Sequence, residues 1–155
     1  MKSDSEKIFS AEKCRDMGRR CVCFNLRKAA RAVTQLYDSY LRPSGLRATQ
    51  LTLLLAARGV GPVQISRLAK GAIMDRTTLT RNLRVLERKK LITVRAGLDR
   101  RAREVALTDR GQDVLMKAMP LWGKAQAHVQ KGISEEVLNR LLEDLTKFVS
   151  LVRKG

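Results

Sequence analysis

Apolar side chains recur along most of this chain at helical spacing, and in one short stretch they alternate. From Cys23 to Leu41, the positions Leu26, Ala29, Val33, Leu36, Tyr37 and Tyr40 share one side of a helix, which Pro43 and Gly45 end. A second helix is expected over Thr49 to Arg58, around LTLLLAA, a run apolar enough to need burial on most sides, and Gly59 and Gly61 stop it. Pro62 suits the first position of a short helix through VQISRLAKG, where its missing N–H is not needed. Gly71 closes that helix.

The segment DRTTLTRNLRVLERKKL carries two faces. Asp75 is a natural N-cap, and Leu79, Leu83 and Leu86 fall within about 60° on a helical wheel. Thr77, Arg81, Arg84 and Arg88 occupy the opposite side. A short helix, a tight turn and a second helix with this pattern form a helix-turn-helix whose second helix suits a DNA major groove, where arginine pairs with guanine and threonine meets thymine methyls. An arginine-faced helix is also what solvation alone produces. The next stretch lowers that alternative: LITVRAGLDRRAREVALT alternates Ile92 and Val94 against Arg103, Val105 and Leu107, a hairpin with Arg95, Arg100, Arg101 and Arg103 crowded about its tip. So dense a cluster is costly unless phosphates or a minor groove receive it. Beyond it lie a long helix carrying Trp122 and a kink at Pro120, then a helix opened by Ser134, Glu135 and Glu136. The stripe Val137, Leu138, Leu141, Leu142, Leu145, Phe148, Val149 and Val152 exceeds what one small domain covers, so a partner chain is expected. The fold class is therefore mainly α with a small β wing: a winged helix-turn-helix with N- and C-terminal dimerisation helices. Residues 1–47 form the N-terminal arm and first dimerisation helix, 48–110 the DNA-binding region and 111–155 the C-terminal dimerisation helices, intertwined as one domain.

Charge narrows the partner. The 155 residues carry a formal charge of +17, a pI near 10.8 and 4% aromatic side chains. Self-repulsion of this size points to a polyanion, nucleic acid before membrane. MKSDSEKIF has no apolar core of a signal peptide and no later stretch spans a bilayer, so the expected location is cytoplasmic, with no membrane partner. His128 is the only histidine, which argues against Ser/His/Asp catalysis and multi-histidine metal sites. No glycine pattern for nucleotide binding is present, no cofactor is expected, and the chain reads as no enzyme; a thiol peroxidase would need turnover with a reductant. A nonspecific architectural nucleic-acid-binding protein needs only the charge and stays as an alternative.

The order of motifs from Leu46 to Gly111 resembles the MarR family of bacterial regulators: the helix-turn-helix, LERKKLITV, a wing around Asp99, Arg101 and Ala102, then Leu107, Thr108 and Gly111. The resemblance implies an obligate homodimer that presents two winged units to a double-stranded, pseudopalindromic DNA operator. It also implies repression that an inducer releases, with the arginine matching Arg101 in the minor groove and the acid matching Asp99 holding it. DNA contacts are expected at Gln64, Ser66, Arg76, Thr77, Thr78, Thr80, Arg81, Arg84, Arg95, Asp99, Arg100, Arg101 and Arg103.

The three cysteines, Cys14, Cys21 and Cys23, cluster near the start. If a helix begins near Cys21, Cys21 and Cys23 point about 200° apart and cannot both grip one ion; in an extended stretch they share a side, and Cys14 completes a three-sulfur site for a soft metal or metalloid. Val22-Cys23-Phe24 is also similar to the Leu-Cys-Phe run of family members that sense organic hydroperoxides, in which a tyrosine matching Tyr37 assists. Tyr37 lies about 21 Å along the helix from Cys23, so it reaches only the thiol of the other subunit. The second tyrosine of those sensors is Ala48 here, and no cysteine lies in the last helix, so Cys14 or Cys21 would have to resolve an oxidised Cys23. Three readings stand: incidental cysteines with a small aromatic inducer, an oxidant-sensing switch at Cys23, or metal or metalloid binding.

Overall fold

A computed structural model of the chain describes residues 10–59, 61–97 and 102–153. Helix α1 (Ala11–Arg20) is opened by Ser10, whose hydroxyl accepts from the Lys13 N–H at 3.2 Å. The apolar pattern gave no sign of this helix, and it buries no residue. Helix α2 (Val22–Leu41) follows after one extended residue, Cys21. The joint is tied from both sides. The Cys21 sulfur accepts from the Phe24 N–H at 3.4 Å, while the Asn25 amide donates to the carbonyls of Gly18, Arg19 and Cys21 at 3.2, 3.0 and 2.9 Å. Groups that helix ends leave unpaired are thereby satisfied.

After a 3-10 turn (Arg42–Ser44), Gly45 takes a left-handed φ of 72° and α3 (Ala48–Gly59) begins. Its first N–H donates to Asp38 of α2 at 2.7 Å. Leu51, Leu53, Leu54 and Ala57 are buried, as LTLLLAA required, while Leu55 stays 39% exposed. Pro62 does not start the next helix. Val63 and Gln64 form strand β1, which pairs antiparallel with β3 (Arg103–Leu107), and α4 (Ile65–Ala72) begins only at Ile65. Gly71 lies inside α4 rather than closing it; the left-handed residue after α4 is Ile73, with φ 51°.

Helix α5 (Arg76–Arg88) ends in the same way, with Lys90 at φ 58°. The N–H of Lys90 returns to Glu87 and that of Leu91 to Leu86, a paired closure that usually has glycine at the left-handed position. Strand β2 (Ile92–Ala96) then pairs with β3 as the expected hairpin, with Ile92 against Leu107 and Val94 against Val105. The sheet has three strands in the order β1-β3-β2, where the sequence suggested only a hairpin.

Helix α6 (Asp109–Lys131) is capped by Thr108 and continues through Pro120, and α7 (Glu135–Arg153) follows behind Ser134. α6 packs on α2 and α3. One core joins these parts: Leu41 from α2, Leu54 from α3, Leu68 from α4, Leu79 and Leu86 from α5, Val105 from β3 and Leu115 from α6. Each such side chain stabilises by about 1.5–3 kcal/mol when fully buried.

Candidate nucleic-acid interface

The two faces of α5 separate as the sequence demanded. Leu79, Leu83 and Leu86 are buried, and Arg76, Thr77, Thr78, Arg81, Arg84 and Arg88 are exposed. The helix is started by Asp75, whose carboxylate accepts from the Thr78 N–H at 2.8 Å. Hydrogen bonds from the Thr78 side chain and then its backbone hold the Asp75 carboxyl below its ordinary pKa. The exposed face borders a shallow, open depression lined by Arg76, Thr77, Arg81, Arg84 and Arg88, with a single acid, Glu87. Four guanidinium groups with so little compensation make a strong positive field over one helix face.

A second cleft runs along the other flank of α5. It brings together Ser66 of α4, Met74, Arg76 and Thr80, and Ala102 and Arg103 at the loop end of the wing. Thus Ser66, Arg76 and Arg103, far apart in sequence, share one surface. Thr80 sits there half-buried, its hydroxyl donating to the Arg76 carbonyl at 2.7 Å. Gln64 is exposed on β1 opposite Glu104, and Arg95 is exposed on β2 opposite the same Glu104. The sequence reading missed Glu104, an acid between the two, and its place follows only from the register of the sheet. Arg88 was legible on the helical wheel but was not among the expected contacts. Asp99, Arg100 and Arg101 lie outside the described residues.

The thiols are not gathered. Cys14 lies within α1, Cys21 at the joint and Cys23 in the first turn of α2, all three exposed. Among the described residues no group of three or more His, Cys, Asp or Glu is arranged to hold a metal ion. The unexpected α1 winds the segment between Cys14 and Cys21 into helix instead of leaving it free to fold back. Tyr37 is half-buried and its hydroxyl donates to Gln126 of α6 in the same chain; burial raises its pKa. The neighbouring Tyr40 hydroxyl lies 3.0 Å from His128 Nδ1, with the rings edge to face. His128 therefore joins α2 to α6.

The expected stripe on α7 is open apart from Leu138, which is buried, and Phe148, which is half-buried. Val137, Leu142 and Val152 are each more than half exposed, as are Val22 and Phe24 at the start of α2. No helix of the described residues is long and apolar enough to cross a membrane.

No protein-family profile matches the chain. It is similar to the HTH-type transcriptional regulator SarZ of Staphylococcus epidermidis, 28% identical over 130 residues, which cover 83% of this chain and 86% of that protein. It is similar also to the transcriptional regulator MosR of M. tuberculosis. In complex with DNA, MosR is 38% identical and superposes with a TM-score of 0.76, covering 86% of this chain and 99% of that one. A second MosR structure is 35% identical, with a TM-score of 0.79, and covers 89% and 99%. At 23% identity, a mutant MarR of E. coli complexed with operator DNA shares the fold, with a TM-score of 0.75 over 86% of this chain and 93% of that one.

Proposed function

The chain belongs to the MarR family of winged helix-turn-helix transcriptional regulators, and from that premise we propose how it engages DNA and what releases it. Two copies pair through the open stripes of α2 and α7 and set their α5 helices into successive major-groove faces of a pseudopalindromic operator. Arg76, Thr77, Arg81 and Arg84 meet base edges and phosphates there. The wing, with Arg95 and Arg103 where its strands run into the connecting loop, follows the backbone, and Arg100 and Arg101, with Asp99, are expected to enter the minor groove. Gln64 and Ser66 fasten the start of the helix-turn-helix to phosphate. The observation that carries this reading is the cationic face of α5, four arginines against the single acid Glu87, opposite a buried leucine face.

Repression follows from occupancy of the operator. Release needs only a small change in the distance between the two α5 helices, because both half-sites must be met together. A thiol input at the α1–α2 joint is favoured by one observation: the Cys21 sulfur itself caps α2, with Cys23 exposed two residues on. A hydroperoxide that transfers one oxygen to either sulfur leaves an alcohol and a sulfenic acid, which a neighbouring thiol condenses to a disulfide with loss of water.

The test is binding to genomic and random duplexes across a salt series. A site-specific regulator retains preference at every salt concentration; a specificity ratio near one throughout sinks the reading in favour of a nonspecific architectural protein. Arg81→Ala should weaken operator binding at particular base pairs, and Arg101→Ala should weaken it through the minor groove. Operator release by cumene hydroperoxide that a variant with Cys14, Cys21 and Cys23 all changed to serine retains would remove the thiol input and favour a small aromatic inducer.

A further inference from the structure

Helices α3 and α4 do not close fully on one another. Between them lies a cleft of about 450 Å³, whose lining includes none of the cysteines and no residue of α5. Its floor is made by Leu53, Val63 and Leu68, core side chains only 1%, 5% and 4% exposed. The cleft stays open because its walls carry little side chain. Ala56 and Ala72 contribute methyl groups, and a Cβ added at Gly59 or Gly71 would meet nothing within 4 Å.

One charge stands on this lining, Arg67, and no acid does. Among the described residues Arg67 makes no ion pair. The other polar group, the Thr52 hydroxyl, already donates to the Ala48 carbonyl at 3.1 Å. The donors left for a guest are those of the Arg67 guanidinium, whose planar fork matches a carboxylate. An apolar floor with one unmatched cation at the lip selects a hydrocarbon body with a single negative end. A guest amine would meet Arg67 and a chain of net charge +17.

We propose that the cleft between α3 and α4 binds a compact apolar monocarboxylate, with its hydrocarbon body on Leu53, Val63 and Leu68 and its carboxylate on Arg67. The site lies within the winged region, not between that region and the dimerisation helices. The wall formed by Gly71 and Ala72 leads through Ile73, Met74 and Asp75 into α5, so an occupant bears on the seat of the DNA-reading helix.

The experiment is a methyl NMR titration of the full-length protein with cyclohexanecarboxylate, cyclohexanol and cyclohexylamine, without DNA, so it stands apart from the operator reading. The acid should shift the Leu53, Val63 and Leu68 methyl signals saturably, the alcohol at least tenfold more weakly, and the amine not at all. Arg67→Gln, an exposed change, should weaken the acid about tenfold and leave the alcohol unchanged. Gly71→Leu should fill the cleft and abolish both. No saturable shift at these methyls overturns the proposal, as does equal binding of acid and alcohol. Shifts that follow protein concentration alone also overturn it, because a second copy of the chain then occupies the cleft.

Discussion

Gly111 is the third residue of α6, beneath the start of the wing, and a methyl group there has nowhere to go. A Cβ built on Gly111 lies 2.0 Å from the Leu91 carbonyl oxygen and 3.0 Å from both the Leu91 carbonyl carbon and Leu107 Cδ1. Ordinary contact begins near 3.5 Å, so Gly111→Ala forces α6 and β2 apart by roughly 1.5 Å. That carbonyl cannot yield freely. It accepts from the Thr108 N–H at 3.1 Å, while the Thr108 hydroxyl donates to Lys90 at 2.7 Å and accepts from the Gly111 N–H at 3.0 Å. Overpacking costs about 1–3 kcal/mol, and losing one of these hydrogen bonds about 1 kcal/mol more. Alanine's helix propensity returns about 1 kcal/mol, leaving a net loss of about 2 kcal/mol. Urea unfolding followed by circular dichroism, at one fixed protein concentration because pairing contributes to stability, should show the midpoint falling by roughly 1 M. Gly71→Ala is the control: its Cβ meets nothing within 4 Å, so it should gain up to about 1 kcal/mol. If Gly111→Ala is as stable as Gly71→Ala, the close approach of α6 to Leu91 is not real.

Ile73 holds a left-handed φ of 51° while 56% exposed, so its side chain is strained and repays little by burial. Ile73→Gly should stabilise the chain by up to about 1 kcal/mol in the same urea assay, and a clear loss would show that the isoleucine packs in the assembled dimer. Asp75 has its carboxyl pKa lowered by folding, so its stabilising effect is present at neutral pH and disappears as pH falls through that lowered value. The difference in melting temperature between the wild type and Asp75→Ala should be constant from pH 7 to about 5 and vanish only below the ordinary carboxylate range near pH 4. A difference that disappears above pH 5 would implicate another group. Leu86→Ala removes a side chain with no exposure and should cost about 2–5 kcal/mol, with operator binding restored at low temperature if the reading face is untouched.

What the sequence determined by itself is what a residue settles with neighbours three or four places away. Asp75 capping α5, the leucine face of that helix set against its arginine face, Ser134 opening α7, and the alternation that puts Ile92 and Val94 on one face of the hairpin all arise from local sequence and from helix and strand periods. The tertiary structure decided the rest. A strand as short as Val63–Gln64 has no period to detect and exists because β3 offers it a free edge. Nor does a helix that buries nothing, such as α1, announce itself in an apolar pattern, although it winds the segment between Cys14 and Cys21 into helix. The meeting of Ser66, Arg76 and Arg103, the cleft over Leu53 and Val63, and the need for glycine at position 111 depend on distances between segments remote in the chain. Such distances are set by how whole helices pack, which no local spacing encodes.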